Sequence, residues 1–67
     1  MDQAPAPEQL QVDDRPVRVL VVDDNATNRK VVQLFLKPLG VVVVEAESGL
    51  QALVRLSAEP FDLVLMD

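Results

Sequence analysis

Residues 17–24 read Val-Arg-Val-Leu-Val-Val-Asp-Asp, and residues 61–67 read Phe-Asp-Leu-Val-Leu-Met-Asp. Each is an apolar run that closes on a carboxylate. The first run is apolar on both faces save for Arg18, as expected of a strand covered on two sides in a parallel sheet. Two such strands in one parallel sheet bring their carboxyl ends to the same edge, which gathers Asp23, Asp24 and Asp67. Three acids side by side stay ionised only with a cation among them. In outline this is a metal and phosphate site.

Working outward, the periodicity changes after Asp24. Asn25 or Thr27 is placed to cap a helix whose apolar positions Val31, Val32, Phe35, Leu36 and Leu39 recur near 3.6 residues. Pro38 weakens its last turn and Gly40 is a natural stop. Val41 to Ala46 reads as a second buried strand. Ser48 and Gln51 have the form of a capping box, and Ala52, Leu53 and Leu56 line one face of the helix that follows. Residues 57–60 end that helix, and Phe61 to Met66 is the third strand.

The segments between strands, residues 23–40 and 47–60, are too long for hairpins and suit helical crossovers, so the strands are parallel. Right-handed crossovers leave two orders: 1-2-3 with both helices on one face, or 2-1-3 with one helix on each. Only the second makes the first and third strands neighbours at a switch point. Apolarity does not choose between them, because all three strands look buried on both sides.

Composition narrows the rest. The chain has 67 residues, a net charge of −5 and no cysteine, which excludes disulfides and bounds it at one small domain. Residues 1–16 carry Pro5, Pro7 and Pro16, with Asp2, Glu8, Asp13 and Asp14 against Arg15, and read as a flexible acidic tail or linker. No cluster of Lys and Arg or aromatic platform serves a nucleic acid. Uninterrupted apolar stretches such as Val41 to Val44 are far short of the roughly 20 residues of a membrane span. With no secretory signal either, a cytoplasmic protein is expected.

Val19 to Asn25, then Leu39-Gly40, then Glu45-Ala46-Glu47-Ser48-Gly49 with Ala52-Leu53, and finally Phe61 to Asp67 together resemble the amino-terminal half of a response-regulator receiver domain of two-component, bacterial-type signalling. The resemblance covers residues 17–67. It implies an α/β, flavodoxin-like doubly wound parallel sheet of order 2-1-3-4-5, of which the β-α-β-α-β portion in order 2-1-3 is present. It further implies that Asp67 is the phosphoacceptor nucleophile, that Asp24 ligates Mg2+ together with Asp67, and that Asp23 helps hold the ion through water. The implied partner is a sensor histidine kinase or a histidine phosphotransfer protein. A complete receiver of this kind catalyses its own phosphorylation and dephosphorylation.

The residue types suit that chemistry. A carboxylate is a competent nucleophile towards phosphorus and gives an aspartyl phosphate, and an anion attacking an anion needs the charge neutralisation that a hard, oxygen-liganded cation supplies. Each residue also has a plainer reading. Asp23 and Asp24 alone would serve equally as acids ahead of a helix N-terminus. Asp13-Asp14 copies the pair but follows no apolar run, and Asp62 and Glu45 read as positions near an edge or mouth without a chemical role. Phe35 reads as core, and Asn25, Thr27 and Asn28 as capping residues, Asn25 being near enough to the crevice to touch a phosphate.

The family's Ser/Thr on the fourth strand and Lys on the fifth have no counterpart in these 67 residues, so residues 17–67 are expected to be part of a full receiver and inactive by themselves. The alternative is a truncated or swapped half-receiver that acts only as an interaction module, self-associating along the third strand, which would otherwise be an apolar edge. An unrelated phosphatase or nucleotide-binding domain is disfavoured, since there is no Asp-x-Asp after the first strand and no Gly-rich phosphate loop.

Overall fold

The computed structural model describes residues 11–67. Two short strands, β1 (Gln11–Val12) and β2 (Arg15–Pro16), pair antiparallel with Gln11 opposite Pro16 and Val12 opposite Arg15. Asp13 and Asp14 between them have φ of 51° and 68°. Two consecutive left-handed residues are what a two-residue hairpin demands, and aspartate tolerates that region better than most side chains. Within the segment read as a tail or linker, residues 11–16 form this hairpin; residues 1–10 lie outside the described residues.

Three parallel strands follow: β3 (Arg18–Val22), β4 (Val42–Ala46) and β5 (Leu63–Met66), in the order β4-β3-β5. The 2-1-3 order is thus the one adopted. Val22 stands opposite Ala46 on one side and Met66 on the other, so the three strands end level. Helix α1 (Ala26–Leu36) and a 3-10 turn (Lys37–Leu39) cross from β3 to β4, and α2 (Gly49–Ala58) crosses from β4 to β5.

Local chemistry explains the helix limits. The Asn25 side chain accepts from the N–H groups of Thr27 and Asn28, which settles the choice of cap. Pro38 sits in the 3-10 turn, and Gly40 closes it at φ 72°, a left-handed position that favours glycine. At α2 the Ser48 hydroxyl accepts from the N–H of Gln51 at 3.1 Å. The Gln51 side chain returns one residue earlier than a capping box prescribes, accepting from the Glu47 N–H at 2.9 Å.

Leu20 and Val22 pack with Ala46 and with Ala52 of α2, joined by Val44 and Phe61. Val21, on the other face by the two-residue period of a strand, lies beside Val31 and Val32 of α1. The helices therefore cover opposite faces. Among the described strands β3 is the one buried almost throughout, from Val19 to Val22; β4 is half-buried up to Ala46, and Leu63, Val64 and Met66 of β5 are exposed. The expectation that all three strands are covered on both sides is corrected, because β3 alone has a strand on each flank among the described residues. Phe35, read as core, is 75% exposed. Leu53 and Leu56 are exposed too, leaving Ala52 as the buried residue of α2. One helix per face reaches β3 and its nearer neighbours, so the flanks of both helices are left uncovered.

The third strand begins at Leu63, two residues later than its apolar run suggests. Asp62, just before it, has a definite structural part. Its carboxylate accepts from Arg15 Nη1 at 2.9 Å and Nη2 at 2.8 Å, and from the Arg18 N–H at 2.8 Å. Arg18 in turn pairs with Glu59, donates to the Pro60 carbonyl at 2.8 Å and lies 5.4 Å from the Phe61 ring centroid. This cluster ties the amino ends of β3 and β5 together.

Candidate functional site at the carboxyl ends of the strands

The opposite end of the sheet carries the acids. Beyond β3 the Asp23 N–H donates to the Ala46 carbonyl at 3.1 Å, and beyond β5 the Asp67 N–H donates to the Val22 carbonyl at 3.2 Å. These bonds continue the two ladders past the strands and set Asp23 and Asp67 on one rim. Asp23 and Asp24 from β3, Glu47 and Ser48 from the turn after β4, and Asp67 from β5 line a cleft of about 340 Å³. Asp23 and Asp67 also line a second cleft of about 390 Å³ on the α1 side, together with Asn28, Val21, Val31 and Leu65. The three acids singled out in the sequence are therefore neighbours around one spot.

Asp23 is held by its own turn. Its Oδ1 accepts from the Asn25 N–H at 2.9 Å, while Asn25 Oδ1 accepts from Thr27 at 2.8 Å and Asn28 at 3.2 Å. The first turn of α1 contains no acidic residue, and Asp23 acts on the turn ahead of the helix. Asp13 and Asp14 belong to the hairpin, at the amino-end side of the sheet.

Among the described residues no lysine or arginine lines either cleft. The acids that line the cleft offer oxygen donors alone, and an all-oxygen donor set suits a hard divalent ion. The residues thus fit Mg2+ by donor type. Among the described residues no three acidic side chains stand close enough together to enclose a metal ion.

Arg29 was not singled out by sequence reading. It projects from α1 with a side chain 12% exposed, and its Nη1 donates to the Asp23 carbonyl at 2.7 Å while Nε donates to Glu45 Oε1 at 2.8 Å. Glu47 stands 4.0 Å away. Arg29 therefore buttresses the backbone of Asp23 against the end of β4, and Glu45, expected to have no role, is its counter-ion. The available signal was Glu45 itself: an acid inside an otherwise apolar strand needs a basic partner.

An open parallel sheet with helices on both faces and an acidic cleft where its strand order reverses defines a doubly wound α/β protein with its site at the switch point. The response regulator receiver domain model matches residues 19–67, and the chain belongs to that family. It is a receiver of two-component signalling. Among curated proteins it is similar to the autoinducer 2 sensor kinase/phosphatase LuxQ of Vibrio cholerae, 43% identical over 63 residues, which are 94% of this chain and 7% of that protein. It is also similar to the sensor histidine kinase GacS of Pseudomonas protegens, 45% identical over 53 residues, 79% of this chain and 6% of that one. With the response regulator mcs4 of Schizosaccharomyces pombe it is 38% identical over 52 residues, 78% of this chain and 10% of mcs4. The chain thus spans a tenth or less of the length of these relatives. No solved structure matches it. No helix of the described residues is long and apolar enough to cross a membrane.

Proposed function

We propose that residues 17–67 are the amino-terminal half of a receiver whose phosphoacceptor is Asp67, charged by a phosphohistidine of a sensor histidine kinase or histidine phosphotransfer protein in the cytoplasm. The observation that supports this is the continuation of the β3 and β5 ladders by the bonds Asp23 to Ala46 and Asp67 to Val22, which sets Asp67 beside Asp23 and Asp24 in one cleft. Similarity to sensor kinases and a response regulator supports the phosphorelay setting.

In this reading an Asp67 carboxylate oxygen attacks the phosphorus, the P–N bond to the donor imidazole breaks, and the imidazole leaves with a proton in place of the phosphoryl group. Asp24 and Asp67 would hold Mg2+ there, with Asp23 helping. Bound there, Mg2+ supplies neutralisation of the charge shared by the carboxylate and the phosphoryl oxygens. The Asp67 N–H bond to the Val22 carbonyl fixes its backbone at the end of β3, on the rim of the cleft. Arg29 keeps the Asp23 backbone in place from the α1 side. The test is labelling of the complete receiver by acetyl phosphate or its kinase: Asp67→Asn abolishes the label, and undiminished label on that variant overturns the assignment.

A further inference from the structure

We propose that the hairpin of residues 11–16 is a clasp, closed by Arg15 on Asp62, that holds the chain just ahead of β3 at the end of the sheet away from the acidic cleft. Three independent features converge on this. The turn is specific: Asp13 and Asp14 both adopt left-handed backbone, at φ 51° and 68°, a geometry that a freely moving linker has no reason to hold. The closure is two-pronged: both guanidinium nitrogens of Arg15 donate to both oxygens of Asp62, at 2.9 and 2.8 Å, across 47 residues of sequence. Such a fork fixes orientation as well as distance, which a single point contact does not.

The anchor is also rigid. Asp62 accepts from the Arg18 N–H at 2.8 Å, and its own N–H donates to the Arg18 carbonyl at 2.9 Å, so it is bound to the first residue of β3 from both sides. Arg15 thereby grips the central sheet and not a loose loop. The clasp sits at the amino ends of β3 and β5, whereas Asp23 and Asp67 stand at their carboxyl ends. A five-residue strand separates the two by about 16 Å. A hairpin held there leaves the mouth of the cleft open to an incoming donor.

The experiment is hydrogen exchange, read by mass spectrometry on the full-length protein, in peptides spanning residues 11–17 and residues 18–23. Wild type is expected to protect residues 11–15 beyond the rate of unstructured chain. Arg15→Gln, at a side chain 47% exposed and remote from the core, is expected to raise exchange there at least tenfold while leaving β3 unchanged, and Arg15→Lys, which lacks the fork, to fall between. Asp62→Asn should act in the same direction. If Asp62→Asn also unprotects β3, the anchor itself has been lost and Arg15→Gln alone decides. Unstructured-chain exchange of residues 11–15 in wild type, or unaltered protection in Arg15→Gln, overturns the clasp.

Discussion

Arg29→Met tests whether the acidic rim is held from behind. Methionine keeps most of the apolar stem, so the substitution removes the two hydrogen bonds to the Asp23 carbonyl and to Glu45 with little change in packing. Hydrogen bonds to a charged group contribute about 1.5–3 kcal/mol each, which would place the loss at roughly 3–6 kcal/mol. That sum is too large here. Glu45 is 39% exposed and regains water when its partner goes, which brings the pair nearer about 1 kcal/mol. The Asp23 carbonyl, at the mouth of a cleft, is rehydrated in part as well. A net loss of about 2 kcal/mol, roughly thirtyfold in the folded-to-unfolded ratio, is the expected result. Urea denaturation of the complete receiver measures it as a lower midpoint at unchanged slope. Glu45→Gln combined with Arg29→Met should give a coupling of about 1 kcal/mol. Mg2+ affinity should fall in Arg29→Met, because Asp23 loses its backing. A stability change under about 0.5 kcal/mol, the range of an ordinary surface position, would refute the reasoning; a normal loss with unaltered Mg2+ affinity would show that Arg29 props the helix and not the rim.

Three other outcomes follow from the same geometry. Asp24→Ala should weaken Mg2+ binding to the complete receiver well beyond Asp13→Ala, since Asp24 lines the cleft and Asp13 turns the hairpin; equal effects in a titration would mean that the wrong aspartate pair has been chosen. The Asp62 carboxyl is held down from 3.8 to about 2, first by the Arg15 hydrogen bond and then by the Arg18 N–H. A depressed folded value stabilises above the unfolded one, so this contribution is complete above pH 3.8 and is lost as pH falls towards about 2. Denaturation midpoints of wild type and Asp62→Asn should converge across that window, and parallel curves would contradict it. The isolated 67-residue chain should self-associate, because Phe35, Leu50, Leu53, Val54 and Met66 are all more than half exposed; a sedimenting monomer with a cooperative melt would show the exposed faces to be tolerated.

Sequence alone determined the features whose causes lie within a few residues. Asn25 reaches the N–H groups two and three positions on, Gly40 supplies its own left-handed backbone, and Ser48 caps the turn it begins. The carboxylates that close the first and third apolar runs were equally legible, since a strand end is a local event, and with them the acids of the cleft. The strand order was not legible from apolarity. β3, β4 and β5 are alike in composition, and only their arrangement makes β3 the covered one; the resemblance, a pattern over the whole segment, had to supply the 2-1-3 order that the structure adopts. Burial on the helices was misread at Phe35, Leu53 and Leu56 for the same reason: periodicity names a face, while what stands against that face is a tertiary fact. Arg15 with Asp62, 47 residues apart, and Arg29 with Glu45, 16 apart, illustrate the remainder. A charged side chain carries no mark of its partner in the sequence, because the pairing depends on the register of strands whose neighbours only the fold selects.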